Sequence, residues 1–268
     1  MTLDEWQKAA LPALSASEFG RSRIDNVTLL AYFFWDDDRI ESKFYTIEFT
    51  FLAAFRNLGL MKSELVVNRT TPRMVDFCAR YGIHIQVDET LTGGVPTMNL
   101  DCLKNLHRRF DTEYVLIIQS DGIIVNPGLE RFVGKFDCIG ATWPGTMMGW
   151  WDVFPYPRFS VGNGGLTLRS KRICEKASEF YRRHFAWMPY NPFLIDDVFY
   201  CKTMGMFNRL KGFRFRYCDP KTANEFAVEF PTDYLPPPDN PPMGFHAKFG
   251  FDLYMKHWGV PMKELLQP

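Results

Sequence analysis

The sequence predicts an α/β fold in a single domain, with a mainly parallel sheet flanked by helices, on three observations. Across residues 27–119, short apolar runs alternate with segments whose apolar residues recur at helical spacing, the pattern of successive β-α-β units. The run at 114–119 (YVLIIQ) carries no charge and reads as a strand covered on both faces. At 268 residues the chain can hide roughly three-quarters of its unfolded surface in one core.

Taken in order, residues 27–34 (VTLLAYFF) form the first predicted strand, ending in the acidic turn Trp35-Asp36-Asp37-Asp38. A helix is expected over 44–58, where apolar residues fall on one face and Gly59 marks the end. Residues 64–67 read as a short strand, and the Thr70-Thr71-Pro72 turn starts a helix to about Tyr81. Residues 83–87 give a third strand, 99–110 a helix and 114–119 a strand. In such sheets ligands gather at the carboxyl ends of the strands, so 35–38, Asn68 and 120–122 are expected on one edge. The second half predicts a short strand at 138–142, a strand after the glycines at 162–165, and a helix over 171–185. A helix opening near 193–203, a strand-like 214–217 and a terminal helix after 245–250 complete it.

Composition narrows the function classes. Lysine plus arginine and aspartate plus glutamate both number 31, and this balance argues against a general nucleic-acid binder. The sequence has no apolar run of about 18 residues, so no transmembrane helix is expected, although peripheral contact with a membrane stays open. Residues 1–23 include Asp4, Glu5 and Lys8 and lack a secretory apolar stretch. Six scattered cysteines without a C-x-x-C pair fit buried thiols in a cytoplasmic protein better than a zinc cluster. Aromatic residues reach 16% of the chain, enough both to fill a core and to line a site for ring-shaped ligands.

Five segments carry candidate chemistry. Asp121, in Gln119-Ser120-Asp121-Gly122, ends a buried strand where a carboxylate can hold a hard divalent cation; Asp-Gly is equally a common turn pair. Asp196 and Asp197 lie between apolar residues, where one can cap a helix and the other serve as a general base. Gly162-Asn163-Gly164-Gly165 allows close backbone approach to a ligand, or is a plain turn, and does not have the spacing of a dinucleotide fingerprint. His246 and Lys248 share a loop able to present an imidazole and an ammonium together. Residues 143–159, with Trp143, Trp150 and Trp151, form either a platform for sugar faces or a packed loop.

In order, the segments YVLIIQSDG, DCIGATW, FSVGNGGLTLRSK, IDDVFY and GFHAKFGF resemble a bacterial and fungal family of GT-A-like domains. That family has long been described as a domain of unknown function and is regarded as glycosyltransferase-like. The likeness spans about residues 27–250, and five motifs in order are far more specific than any one of them. It implies a GT-A-like, Rossmann-type sheet over 25–268, preceded by an N-terminal helical extension at 1–24. The nucleotide-binding half would be 25–125 and the acceptor and catalytic half 126–268. Asp121 would be the last position of the DxD element that binds Mn²⁺ or Mg²⁺ and the donor diphosphate, and His246 the late histidine of the metal shell. The sequence departs from the wider pattern in having Gln119 where the first Asp usually stands. Phe34, Gln119, Ser120, Asn163, Gly164, Gly165 and Lys248 would face a nucleotide-sugar donor, by family habit a UDP-sugar. Trp143, Trp150 and Trp151 would face a glycan or other hydroxyl acceptor. Asp196-Asp197-Val198 resembles the Glu-Asp-Val element of inverting enzymes, which makes Asp197 the base.

Other classes remain as alternatives. A sugar-phosphate nucleotidyltransferase should carry a Gly-rich basic loop after the first strand, where this chain has the acidic 35–38. A non-catalytic nucleotide-sugar or glycan binding module would fit the missing first Asp. A metal-dependent hydrolase lacks its H-x-x-x-H pair here.

Overall fold

Uncharged, almost wholly apolar runs make the two central strands, Val27–Phe33 and Tyr114–Ile118, whose side chains are buried on both faces. A computed structural model describes residues 1–35, 39–92, 94–143, 161–188 and 194–267. Strand β1 (Val27–Phe33) is buried along its whole length. Leu29, Ala31 and Phe33 join one core cluster, and Leu30 and Tyr32 join the other. β4 (Tyr114–Ile118) divides in the same way, with Leu116 and Ile118 on the first face and Val115 and Ile117 on the second.

The helices before β4 are set by ordinary signals. α2 (Arg39–Leu58) begins five positions before the expected 44 and buries Phe44, Ile47 and Phe51 against the first face. β2 (Ser63–Val67) leads to α3 (Pro72–Tyr81), capped by the Thr71 hydroxyl and closed by Gly82 at φ 68°. After β3 (Ile83–Val87) comes α4 (Val95–Lys104), which stops at Asn105 and passes into a 3₁₀ turn, Leu106–Arg108; the expected single helix over 99–110 is thus two elements.

β5 (Gly122–Ile124) and β6 (Cys138–Gly140) follow, then β7 (Leu166–Ser170). The six-stranded sheet runs β3-β2-β1-β4-β7-β6. β1 to β4 are parallel to one another, while β7 is antiparallel to both β4 and β6. β2 and β4 lie on opposite sides of β1, which makes the β1–β4 boundary the topological switch point.

α5 (Lys171–His184) packs Ile173, Cys174 and Ala177 into the second core cluster. α6 (Asp196–Val198), a π-helical segment (Phe199–Thr203) and α7 (Met204–Lys211) run on as one helical stretch. Residues 214–217 are not a strand: Arg214 takes φ 59°, which an extended chain cannot accommodate, and only Tyr217 makes an isolated bridge, to Cys138. α8 (Pro220–Phe226) leads directly into β8 (Ala227–Val228). β9 (Gly244–His246) then opens α9 (Ala247–Trp258). A second, three-stranded sheet is ordered β5-β9-β8, with Gly122 opposite His246 and Val228 opposite Phe245.

The expected N-terminal helix is α1 (Leu3–Ser15), with a Thr2–Glu5 capping box. It is part of the core: Trp6, Ala10 and Leu14 are fully buried. The Trp6 ring lies 4.7 Å from Phe49 and 5.4 Å from Phe251, and its Nε1 donates to Pro261 O at 3.1 Å. All six cysteines are buried free thiols. No helix among the described residues is long and apolar enough to cross a membrane.

Candidate functional site

A cleft of about 710 Å³ opens at the carboxyl ends of β1 and β4, where the switch point puts it. Phe34 and Trp35 line it after β1, and Gln119, Ser120 and Asp121 after β4. Asn68 donates from Nδ2 to Trp35 O at 3.2 Å, so the three strand ends do gather on one edge. Residues 36–38, also expected there, lie outside the described residues. Cations come from elements remote in sequence: Arg39 and Lys43 from α2, and Lys248 from the first turn of α9. The Arg39 guanidinium lies 4.3 Å from the Trp35 ring centre.

The second sheet brings the acidic and imidazole groups together. Because Gly122 pairs with His246 and Val228 with Phe245, Asp121 and Glu229 flank His246 at one end of the sheet. His246 Nδ1 is 3.2 Å from Glu229 Oε1, and its Nε2 is 3.4 Å from Asp121 Oδ1. The Nε2 is buried and has no hydrogen-bond partner among the described residues, so the approach to Asp121 is one of charge rather than of bond geometry. Burial would push the Asp121 carboxyl up, but the His246 ring beside it holds it below the ordinary range. Burial would likewise lower His246, and the two carboxylates outweigh it, raising the imidazolium to about 10.

This arrangement suits a divalent cation. When a cation displaces the Nε2 proton of His246, this nitrogen and the carboxylate oxygen beside it can act as two protein ligands, with phosphate oxygens and water completing an Mg²⁺ or Mn²⁺ shell. Glu229 holds the far ring nitrogen, as the outer partner of a metal-binding histidine does. Among the described residues, no group of three or more His, Cys, Asp or Glu side chains forms a metal cluster, and this pair is what they offer a cation at the cleft.

Gly164 and Gly165 join this corner to the aspartate pair. A Cβ on Gly165 would stand 1.9 Å from His246 Nε2, and one on Gly164 would stand 3.2 Å from Asp197 Cβ. Gly165 O accepts from Gln119 N at 2.9 Å, and its N–H donates to Asn163 Oδ1 at 2.7 Å. Asn163 Nδ2 donates in turn to Glu229 Oε2, so the glycine loop and the His246 corner share one hydrogen-bond chain.

The two aspartates have different surroundings. Asp196 is buried in an ion pair with Arg169, Oδ2 to Nη2 at 2.6 Å, and Arg169 is fully buried under the Tyr200 ring. Such a carboxylate is occupied and is not a second proton acceptor. Asp197 is partly buried; Oδ1 accepts from Val198 N at 2.7 Å and Oδ2 from Gly164 N at 3.3 Å. Burial first, and the neighbouring Asp196 charge second, push Asp197 up to about 7. Neither residue is the helix cap: that position is Ile195, and the pair fills the first turn.

Trp143, expected to face an acceptor, is buried within the second core cluster and offers no exposed ring face. Trp150 and Trp151 lie outside the described residues. Glu229, Gln7, Arg39 and Lys43 were not expected at the site. Of these, Glu229 carried a readable signal: it is the one charge between the apolar 226–228 and Phe230, and a carboxylate buried there needs a partner.

A family profile described as "Protein of unknown function (DUF5672)" matches residues 87–246. No curated protein matches the chain. Among solved structures, the chain is similar to a mannosyltransferase from Pyrobaculum calidifontis in complex with GDP-Man and Mn²⁺, at 13% identity and a TM-score of 0.39. That match covers 91% of this chain and 64% of the other. It is similar to the apo-form of a glycosyltransferase in Streptococcus pneumoniae TIGR4 at 11% identity and a TM-score of 0.46, covering 90% and 62%. It is also similar to glucosyl-3-phosphoglycerate synthase from Mycobacterium tuberculosis in complex with Mn²⁺, UDP and glucosyl-3-phosphoglycerate, at 11% identity and a TM-score of 0.42, covering 75% and 69%. The chain therefore spans less than two thirds of the length of the first two. By the profile match over most of its length, this chain belongs to the DUF5672 family of proteins of unknown function.

Proposed function

We propose that the chain is a glycosyltransferase of the GT-A type, moving a sugar from a nucleoside-diphosphate sugar to the hydroxyl of a glycan or other acceptor. The carrying observation is the Asp121–His246 corner, with its orphaned imidazole nitrogen, opening on a switch-point cleft that three cations line. A UDP-sugar is the expected donor, on family resemblance. Asp121 and His246 would hold Mn²⁺ or Mg²⁺, which supplies charge neutralisation to a departing diphosphate.

The chain's own residues account for the remaining steps. Arg39, Lys43 and Lys248 would meet the phosphates, where fixed positive charge favours the leaving group as its negative charge grows. Gly164 and Gly165 let backbone lie beside the donor sugar where any side chain would strike His246 or Asp197. Asp197 would take the proton of the acceptor hydroxyl as its oxygen attacks the anomeric carbon, a carboxylate near 7 being well matched to that work. The new C–O bond forms as the bond to the diphosphate breaks, and attack opposite the leaving group inverts the configuration. Asp196, held in place by Arg169, would act through its own charge, which raises Asp197, rather than by touching substrate.

Thermal stabilisation by a panel of nucleoside diphosphates, with and without Mn²⁺, tests this reading. A ligand at 100 times its Kd should add about 2.7 kcal/mol, a rise of a few degrees in melting temperature. The expected result is a Mn²⁺-dependent shift with one nucleotide that Asp121→Ala abolishes. No shift with any nucleotide would overturn the donor site. A product of retained anomeric configuration would overturn only the inverting role of Asp197.

A further inference from the structure

We propose that Gln7 of helix α1 is a positioning residue for the Ser120–Asp121 turn, so that α1 forms part of the wall and support of the donor site. This rests on the reading of Asp121 as the diphosphate-cation carboxylate, and extends the site to a segment outside the 87–246 family match.

The turn after β4 is held from several directions. Gln119 N donates to Gly165 O at 2.9 Å, Gly122 N to Gln119 O at 3.0 Å, and Ala247 N to Asp121 O at 2.9 Å. Ser120 O, the carbonyl of the peptide that carries the Asp121 N–H, accepts instead from Gln7 Nε2 at 2.8 Å. Of these four ties, only that of Gln7 comes from a side chain. Gln7 is 2% exposed, so its amide cannot readily exchange the carbonyl for water. Without the amide donor, the Ser120 carbonyl loses that tie, and the Ser120–Asp121 peptide can rock within the turn that the three backbone bonds still hold, loosening the place of the Asp121 carboxylate beside His246.

The neighbouring residues of α1 give the tie its rigidity. Trp6 is clamped between Phe49 and Phe251 and bonded to Pro261 O, which fixes the turn of helix that carries Gln7. Thr2, Leu3, Asp4 and Gln7 itself line the same cleft as Asp121 and Lys248. A helix serving only as an outer brace has no need to present a buried amide to a loop carbonyl at the cleft.

The test uses the full chain with Gln7→Met, which keeps the length and apolar bulk and removes the donor, beside Leu14→Ala. Leu14 is fully buried in α1 but distant in sequence from the turn contact, so its truncation loosens the helix alone. UDP and GDP binding is measured by calorimetry with Mn²⁺ and with EDTA, and amide exchange is followed over residues 119–124. The expected result for Gln7→Met is at least a tenfold loss of affinity with Mn²⁺, unchanged affinity in EDTA, and faster exchange confined to 120–123. That loss is of the size found when the outer partner of a metal ligand is removed. Leu14→Ala should lower the melting temperature without this metal-dependent split. The proposal is overturned if Gln7→Met keeps wild-type affinity with Mn²⁺ and wild-type exchange at 120–123, or if Leu14→Ala reproduces the same split. If the wild type binds neither nucleotide with Mn²⁺, the donor reading fails by itself, and the exchange at 120–123 alone decides whether Gln7 holds the turn.

Discussion

Asp196 and Asp197 are chemically identical neighbours, and their surroundings divide them. Asp196 faces the Arg169 guanidinium at 2.6 Å, while Asp197 meets two backbone N–H groups and the field of Asp196. The raised acid has consequences in two measurements. Activity should rise with pH through about 7 as Asp197 ionises, and Asp197→Asn should lower kcat/KM by roughly 10²- to 10⁴-fold and remove that limb of the profile. In stability the sign is set by proton uptake. Between 3.8, the ordinary carboxyl value, and about 7, the folded state holds a proton that the unfolded state has lost, so this group's contribution falls as pH rises and levels off above 7. Asp197→Asn should therefore melt higher than wild type at pH 8, with the gap closing towards pH 4, read by calorimetry across that range. A constant difference in melting temperature would remove the assignment of the shifted acid to Asp197. Nothing in the string IDDVFY distinguishes the two, because the guanidinium that separates them lies on β7, 27 positions away.

At the scale of elements, the site depends on where two short pieces of backbone pass each other. The glycine loop before β7 crosses the end of β9 so closely that Gly165 has no room for a methyl group beside the His246 imidazole. Gly165→Ala should displace that ring, abolish the Mn²⁺-dependent thermal shift with nucleotide and leave the circular-dichroism spectrum of the fold intact. A variant that keeps the full Mn²⁺-dependent shift would mean that His246 does not act at the metal site. The π-helical segment after Asp197 belongs to the same packing: Cys201 donates from Sγ to Gly162 O at 3.3 Å and fills the place of a Gly162 side chain. Such wide turns recur at functional sites because they re-aim the residues before them. The three-stranded β5-β9-β8 sheet was not expected. Its strands are of two or three residues, too short for a period-2 pattern to register, and they come from three distant parts of the chain.

Across the whole molecule, α1 joins the N-terminal residues to both the core and the cleft. Trp6 touches α2, β9 and α9 at once, so its removal opens a cavity that no single neighbour can fill. Trp6→Ala should cost about 3–5 kcal/mol, measured by chemical denaturation, with an unchanged denaturant slope if unfolding stays cooperative. A loss below about 1 kcal/mol would show α1 to be a surface addition. The balanced charge of the chain means that attraction for an anion has to be local. The fold sets Arg39, Lys43 and Lys248 around one opening from two separate helices, where they would meet the phosphates of the proposed donor.

The sequence by itself determined the alternation of β1 to β4 with their helices, the parallel core and the strand ends at which a ligand would sit. Those features follow from apolar runs, caps and glycine stops, which act within a few residues of chain. It also marked Asp121, Asp197, the glycine pair and His246, since charges and glycines set in apolar strings stand out locally. Only the tertiary structure decided that Glu229 orients His246, that Arg169 occupies Asp196, that Trp143 is core, and that Gln7 holds the turn. Each of these is a contact between segments separated by between 17 and 113 positions or a burial set by the packed whole. Local propensity carries no record of such pairings, because they exist only once the sheets have closed around the cleft.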